Sequence, residues 1–281
     1  MSDIRTAAEP PLLTAILLAG SRPGTDPLAA AAGIVWKALV PVGGRPMVDR
    51  VARVLLAHPR IGTVVLMAQR PDELMADPQT RWMAAEPRIR PVESGQGISA
   101  SLLAWIEGGG SDGETRLPAL VTTADNVLLD RAMIDAFLER VGEADVAAAM
   151  VERGVLMPAY PQSRRTWLRF RGGAWSGANL FWLGTARACA ALRKWSAIEQ
   201  DRKKGWKIIS AFGPALLLGA GLRLLTIHQA IARAGRRLGV TARIVPMPIP
   251  EACIDADKPE DVALIETIIA ARAAAAEGKT A

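Results

Sequence analysis

Cysteine and histidine are scarce in this chain of 281 residues, which holds two of each. Cys189 and Cys253 have no Cys or His neighbour at metal-ligand spacing, which excludes a disulfide scaffold and argues against a structural zinc site. They read as small apolar groups packed in a protein of the reducing cytosol. His58 and His228 likewise lack a sequence partner, so no Ser-His or Cys-His nucleophilic constellation is expected. With 19 Pro and 25 Gly in a chain that is half apolar, a disordered or collagen-like protein is excluded. The N-terminus, MSDIRTAAEPPLL, has no basic stretch ahead of an apolar run and does not read as a signal peptide. The long apolar run from Ile208 to Ile227 is broken by Pro214, several Gly and Arg223, which disfavours a membrane span.

Acidic residues are nearly absent from one region. Between Arg153 and Arg243 there are 17 Lys and Arg but only Glu199 and Asp201, a local balance of +15, and the remainder of the chain carries −9. Such an asymmetry predicts an anionic partner for the basic span. Five of the eight Trp fall there too. The span 193–227 is therefore expected to touch an anionic membrane surface or to form a homodimer interface. Nucleic acid is not expected, because no recognition motif accompanies the charge.

Elsewhere strands and helices alternate. Leu12–Ala19 is a continuous apolar run, as in a buried parallel strand, and Pro46 opens an amphipathic helix. Thr63–Met67, Ala119–Thr123 and Val146–Met150 read as further strands, with helices over 98–106 and 131–140. A returning strand is expected at Ala242–Val245 and a last helix from Pro259. This predicts an α/β fold, a Rossmann-type αβα sandwich with a mixed, mostly parallel sheet. The expected layout is a core of residues 12–152 plus 241–276 with a basic, Trp-rich helical insertion at 153–240.

Four segments carry chemistry. The first strand ends at Ala19-Gly20-Ser21, and a loop with Arg22, Gly24 and later Lys37 follows. Strand ends in open α/β sheets bind ligands, glycines let backbone amides approach phosphates, and Arg22 and Lys37 supply positive charge. Ser94-Gly95-Gln96-Gly97 leads into Ile98-Ser99-Ala100-Ser101, a Gly-rich turn at a helix start. Asp125 stands at the carboxyl end of a strand, where one carboxylate suits Mg²⁺. Asp255 and Asp257 lie two apart before Pro259, so in extended chain they point the same way. Capping and turn roles explain several of these positions as well: Ser99 as an N-cap, Asp125 in an Asx-turn, Asp257 as the N-cap of the last helix, with Glu260 and Asp261 serving its dipole.

Together these segments resemble the MobA-like NTP transferases, the superfamily of molybdenum-cofactor guanylyl- and cytidylyltransferases. Leu18-Ala19-Gly20, Lys37-Ala38-Leu39 and Gly44-Arg45-Pro46-Met47 match the family pattern in order, while Ser21 replaces a second Gly and the loop 23–36 is lengthened. The resemblance implies a GT-A-like core that moves a nucleoside monophosphate from an NTP to a phosphorylated acceptor and releases pyrophosphate. It implies nucleotide binding by Leu18, Ala19, Gly20, Ser21, Arg22, Lys37, Gly95, Gly97, Ser99 and Ser101, with Lys37 and Asp125 catalytic. It further implies Mg²⁺ held by Asp125, Asp255 and Asp257, and an acceptor contact by Asn179. The Gly95–Leu102 turn is closer to the cytidylyltransferase branch, which favours CTP over GTP. A GT-A glycosyltransferase using a sugar nucleotide, or a non-catalytic nucleotide-binding protein, remains the alternative.

Overall fold

In the computed structural model the described residues are 11–278, except 22, 23, 25, 96, 109–115, 200–217 and 220. Ten strands form the frame: β1 (Leu13–Leu18), β2 (Pro41–Val42), β3 (Arg45–Pro46), β4 (Ile61–Ala68), β5 (Ile89–Glu93), β6 (Ala119–Thr123), β7 (Val146–Glu152), β8 (Leu168–Phe170), β9 (Gly173–Leu183) and β10 (Ala242–Pro246). The helices are α1 (Pro27–Ala31), α2 (Met47–Ala57), α3 (Pro71–Ala76), α4 (Ile98–Glu107), α5 (Arg131–Leu138), α6 (Arg153–Ala159), α7 (Arg187–Glu199), α8 (Ile227–Leu238) and α9 (Pro259–Glu277). The main sheet runs β10-β7-β9-β6-β1-β4-β5, with β8 paired to β9. Every pairing with β9 is antiparallel and the other main-sheet pairings are parallel. The sheet is thus mixed and mostly parallel, as expected.

The continuous apolar runs are explained by burial on both faces. Alternate residues of β1 serve opposite layers: Ala15 and Leu17 join a large core with Met47, Val51 and Phe137, while Ile16 packs with Val65, Leu102 and Ala188. The first layer is covered by α2, α5 and α9, the second by α4 and α7. This is a Rossmann-like αβα arrangement.

One span behaves differently from its expected place. Residues 173–183, expected within a separate insertion, form β9, which lies inside the main sheet between β7 and β6. A boundary at residue 153 would cut through the sheet. Periodicity pointed only to short strands near 167–170 and 179–183, because β9 carries an irregularity in its middle. Ala148 pairs with Phe181 and Met150 with Gly177, so two extra residues of β9 are accommodated between them. Among the described residues no helix is long and apolar enough to cross a membrane. The basic, apolar stretch 200–217 lies outside the described residues, and of the residues just after it Leu218, Leu222 and Leu224 are exposed.

Candidate active site

Because β6, β1, β4 and β5 are parallel neighbours, their carboxyl ends open onto one edge of the sheet. The loops leaving them carry the Asp125 turn, Gly20-Ser21, Gln69 and the 94–97 turn, in that spatial order. This is where open α/β sheets bind ligands. Leu18 fixes two of these loops together, since its carbonyl accepts from Ala124 N at 2.9 Å, and Ala19 N donates to Met67 O at 2.9 Å.

Lys37 reaches this edge from a short 3₁₀ turn, Lys37–Leu39, anchored by buried Ala38 and Val40. A two-residue hairpin follows, with Gly43 and Gly44 at φ 56° and 76°, the left-handed pair that a type I′ turn requires. The Lys37 ammonium lies 2.9 Å from Asp125 Oδ2 and 2.7 Å from Asp257 Oδ1. Burial is the largest single influence on it and pulls its pKa down, but the attraction and hydrogen bonds of the two aspartates outweigh that, and the net shift is upward. Lys37 is therefore a firmly protonated counter-ion.

Asn179 organises the carboxylates. Its residue sits in the irregularity of β9 with φ 47°, a region asparagine tolerates better than most side chains. Its carbonyl accepts from Thr122 Oγ1 at 2.8 Å, and Asn126 Nδ2 braces the same corner through Thr122 Oγ1 at 3.2 Å. So aimed, Asn179 Nδ2 donates to Asp255 Oδ2 at 2.9 Å and lies 3.4 Å from Asp125 Oδ1. Thr123 Oγ1 donates to the same Asp125 oxygen, and Ala256 N donates to the Asp125 carbonyl at 3.0 Å. Asp125 and the distant pair Asp255 and Asp257 are gathered around one amide and one ammonium.

Two residues that sequence reasoning missed complete the arrangement. Arg165, only 10% exposed, pairs with Asp255 Oδ1 and stands 3.9 Å from Asp261 Oδ1. No pattern marked it, because it lies in an irregular stretch and is one of many arginines in the basic span. Burial, partly offset by Arg165 and reinforced by Asp257 and Asp125, pushes the Asp255 carboxyl up to about 6. Gln69 is the second. Its Nε2 donates to Ser21 O at 2.7 Å and its Oε1 accepts from Ser21 N at 2.9 Å, pinning the loop after β1. A Cβ on Gly20 would meet the Gln69 amide at 3.0 Å, so this glycine permits a side-chain approach whatever else it does. The Ser21 hydroxyl is buried without a partner among the described residues.

The remaining expected residues fall as follows. Gly97 caps α4 at φ 96°, Ser101 donates its hydroxyl to the Gly97 carbonyl at 2.8 Å, and Ser99 is buried. Gly95 has open space where a Cβ would be. Arg22 lies outside the described residues. Lys258, not Asp257, is the N-cap of α9, and Asp261 accepts from Lys258 N at 3.2 Å. His58 is fully enclosed, accepting from Arg60 N on Nδ1 and facing Asp135 Oδ1 at 3.0 Å, so it is structural. Both cysteines are buried, and burial pushes the Cys253 thiol up to about 12, which denies it a nucleophilic role.

The donor chemistry fits a hard divalent cation: carboxylates from Asp125, Asp255 and Asp257, with no soft ligand among them. Among the described residues no group of three His, Cys, Asp or Glu side chains converges as a ready-made cage. Mg²⁺ needs no such cage, because phosphates and water complete its shell.

A layered α/β sheet with a lysine, a glycine turn and gathered aspartates at its carboxyl edge has the chemistry to take a phosphate-bearing ligand. Residues 15–213 match the MobA-like NTP transferase domain, and the chain belongs to that family. No curated protein matches the chain significantly. Among solved structures, a hypothetical transferase from Thermus thermophilus has 29% identity and TM-score 0.71, over 89% of this chain and 99% of its own. The 4-diphosphocytidyl-2C-methyl-D-erythritol synthase of Anaerococcus prevotii aligns at 10% identity and TM-score 0.57, over 92% and 96%. A CMP:2-keto-3-deoxy-manno-octonic acid synthetase in complex with CTP aligns at 11% and 0.52, over 92% and 99%. These last two likenesses establish the fold alone.

Proposed function

We propose that this nucleotidyltransferase moves a nucleoside monophosphate from an NTP, CTP in first place, to a phosphorylated small-molecule acceptor and releases pyrophosphate. The observation that carries the reading is the meeting of Lys37, Asp125, Asp255, Asp257 and Asn179 beside the Gly20-Ser21 loop. An acceptor phosphate oxygen attacks the α-phosphorus in line as the bond to pyrophosphate breaks. This chemistry asks the protein for positioning and charge neutralisation, not for a covalent nucleophile.

Each residue has a task in that scheme. Lys37 neutralises the triphosphate, and the loop with Leu18, Ala19, Gly20, Ser21 and Arg22 encloses it. The turn with Gly95, Gly97, Ser99 and Ser101 lies against base and ribose. Asp125, Asp255 and Asp257 would hold Mg²⁺, which when bound neutralises phosphate charge. Asn179 keeps two of these carboxylates together at the acceptor side. The basic span 193–227 would meet an anionic membrane surface or a second copy of the chain, a reading supported by exposed Trp195, Leu222 and Leu224 beside Lys194 and Arg223.

The test is equilibrium binding of the four NTPs with and without Mg²⁺, followed by pyrophosphate release with candidate phosphorylated acceptors. Metal-dependent binding of one NTP, CTP by preference, is expected. Binding of none of the four, or of sugar nucleotides only, would overturn the reading.

A further inference from the structure

Arg165 is the buried cation of this site that no nucleotide-binding role accounts for. It stands in the stretch between α6 and β8, which is tied to the segment carrying Asp255. Tyr160 OH donates to Glu251 Oε1 at 2.6 Å, and Ser163 N donates to Tyr160 O at 3.0 Å. Glu251 belongs to the 3₁₀ turn Pro250–Cys253 that delivers Asp255 to the sheet edge. The stretch bearing the arginine and the turn bearing the aspartate are thus held to each other independently of the ion pair.

The two oxygens of Asp255 are divided between different partners. Oδ1 faces the Arg165 guanidinium and Oδ2 accepts from Asn179 at 2.9 Å. The ion pair on one oxygen and the hydrogen bond on the other together limit how the carboxylate can turn. Asp261, the other carboxylate near Arg165, is tied to the backbone of Lys258 and so belongs to the start of α9. Arg165 therefore links the last helix to the aspartate that faces Asp125.

We infer that Arg165 is a positioning residue for nucleotidyl transfer, fixing Asp255 so that the site takes up its divalent cation together with the nucleotide. Its planar guanidinium turns Nη2 to Asp255 and Nη1 toward Asp261, two carboxylates that the single ammonium of a lysine would serve less well. The inference rests on the nucleotidyltransferase reading above.

The experiment is calorimetric CTP binding at stepped Mn²⁺ concentrations, with wild type, Arg165→Gln and Arg165→Lys. Arg165→Gln should raise the Mn²⁺ needed for half-maximal CTP binding at least tenfold, while CTP affinity at saturating Mn²⁺ stays within threefold of wild type. Arg165→Lys should lie between them. A folded Arg165→Gln protein with a wild-type Mn²⁺ requirement, even with a lower Tm, would make the arginine merely structural and overturn the inference while leaving the reading intact. If Arg165→Gln does not fold, Arg165→Lys decides: a shift of at least threefold is expected, and none overturns it. Absence of Mn²⁺-dependent binding of any NTP to the wild type would sink the reading and this inference with it.

Discussion

The Lys37 ammonium lies 2.9 Å from Asp125 Oδ2, a carboxylate proposed to hold a divalent cation. It also holds Asp257 Oδ1 at 2.7 Å, so two of the three candidate metal ligands are neutralised by the chain itself. A lysine that contacts the triphosphate must release them. Two opposite consequences follow for one substitution. Lys37→Gln should weaken CTP binding by about 1.5–3 kcal/mol, the range for a lost charge-assisted hydrogen bond. The same change should strengthen Mn²⁺ binding in the absence of nucleotide, read by the paramagnetic relaxation of water protons. Unchanged CTP affinity would make Lys37 a structural lysine.

Asn179 invites a substitution that separates backbone from side chain. Its φ of 47° means that Asn179→Gly keeps the conformation at little cost, whereas Asn179→Ala also strains it. Both remove the amide that bridges Asp125 and Asp255. Equal loss of Mn²⁺-dependent CTP binding in the two variants, with thermal stability lower in the alanine variant than in the glycine variant, is the expected pattern. Wild-type binding by Asn179→Gly would show that the bridge is dispensable.

Much of this frame was legible in the sequence because burial on both faces forces continuous apolar runs, as in β1, β4 and β6. Lys37, Asp125, Asp255 and Asp257 were legible as motifs, and the fold brings them together through strand order. Arg165 and Gln69 were not, since each acts through one long-range contact that no local period encodes. The place of β9 was hidden for a related reason. An irregularity around Asn179 interrupts its alternation, and its neighbours in the sheet come from elements distant in sequence. The role of Asp261 was only half legible: its acidic place near the start of a helix explains the backbone hydrogen bond, but not the approach of a buried arginine.

Asp145 offers a stability test away from the site. It is buried where β7, β9 and β10 meet, accepting from Thr185 Oγ1 and, at 2.8 Å, from Thr241 N. These hydrogen bonds, Thr185 first, hold its pKa below the ordinary carboxylate value. A depressed carboxylate stabilises the fold above its unfolded pKa, and that contribution is lost as pH falls through the folded one. Asp145→Ala should cost about 1–3 kcal/mol at pH 7, and less at pH 3, in urea melts. A pH-independent difference would remove the charge from the explanation.

The basic span predicts salt-sensitive binding to anionic vesicles. Each Lys or Arg near such a surface adds about 1 kcal/mol, a gain that fades beyond a Debye length as salt rises. Co-sedimentation with phosphatidylserine vesicles at low salt, and none with neutral vesicles, is expected. A protein that ignores both and sediments as a dimer would place 193–227 in an interface between copies instead.

The last prediction concerns Asp255, whose carboxyl is pushed from the ordinary 3.8 up to about 6, chiefly by burial. A raised carboxyl binds its proton more tightly folded than unfolded, so its ionisation opposes folding. Between about pH 4 and pH 6 the wild type therefore loses stability through this group, and above that window the loss is complete. Asp255→Asn keeps the shape and an oxygen for Arg165 but cannot ionise. The stability of the variant relative to wild type should thus rise from pH 4 to pH 7, by on the order of 1–3 kcal/mol, and then level off. Urea melts of nucleotide-free protein across this range provide the measurement. Metal-dependent CTP binding should fall in the same variant above about pH 6, where the wild-type carboxylate carries the charge a divalent cation would use. A relative stability that stays flat from pH 4 to pH 7 would mean that Asp255 titrates as an ordinary carboxylate, and that Arg165 compensates its burial in full.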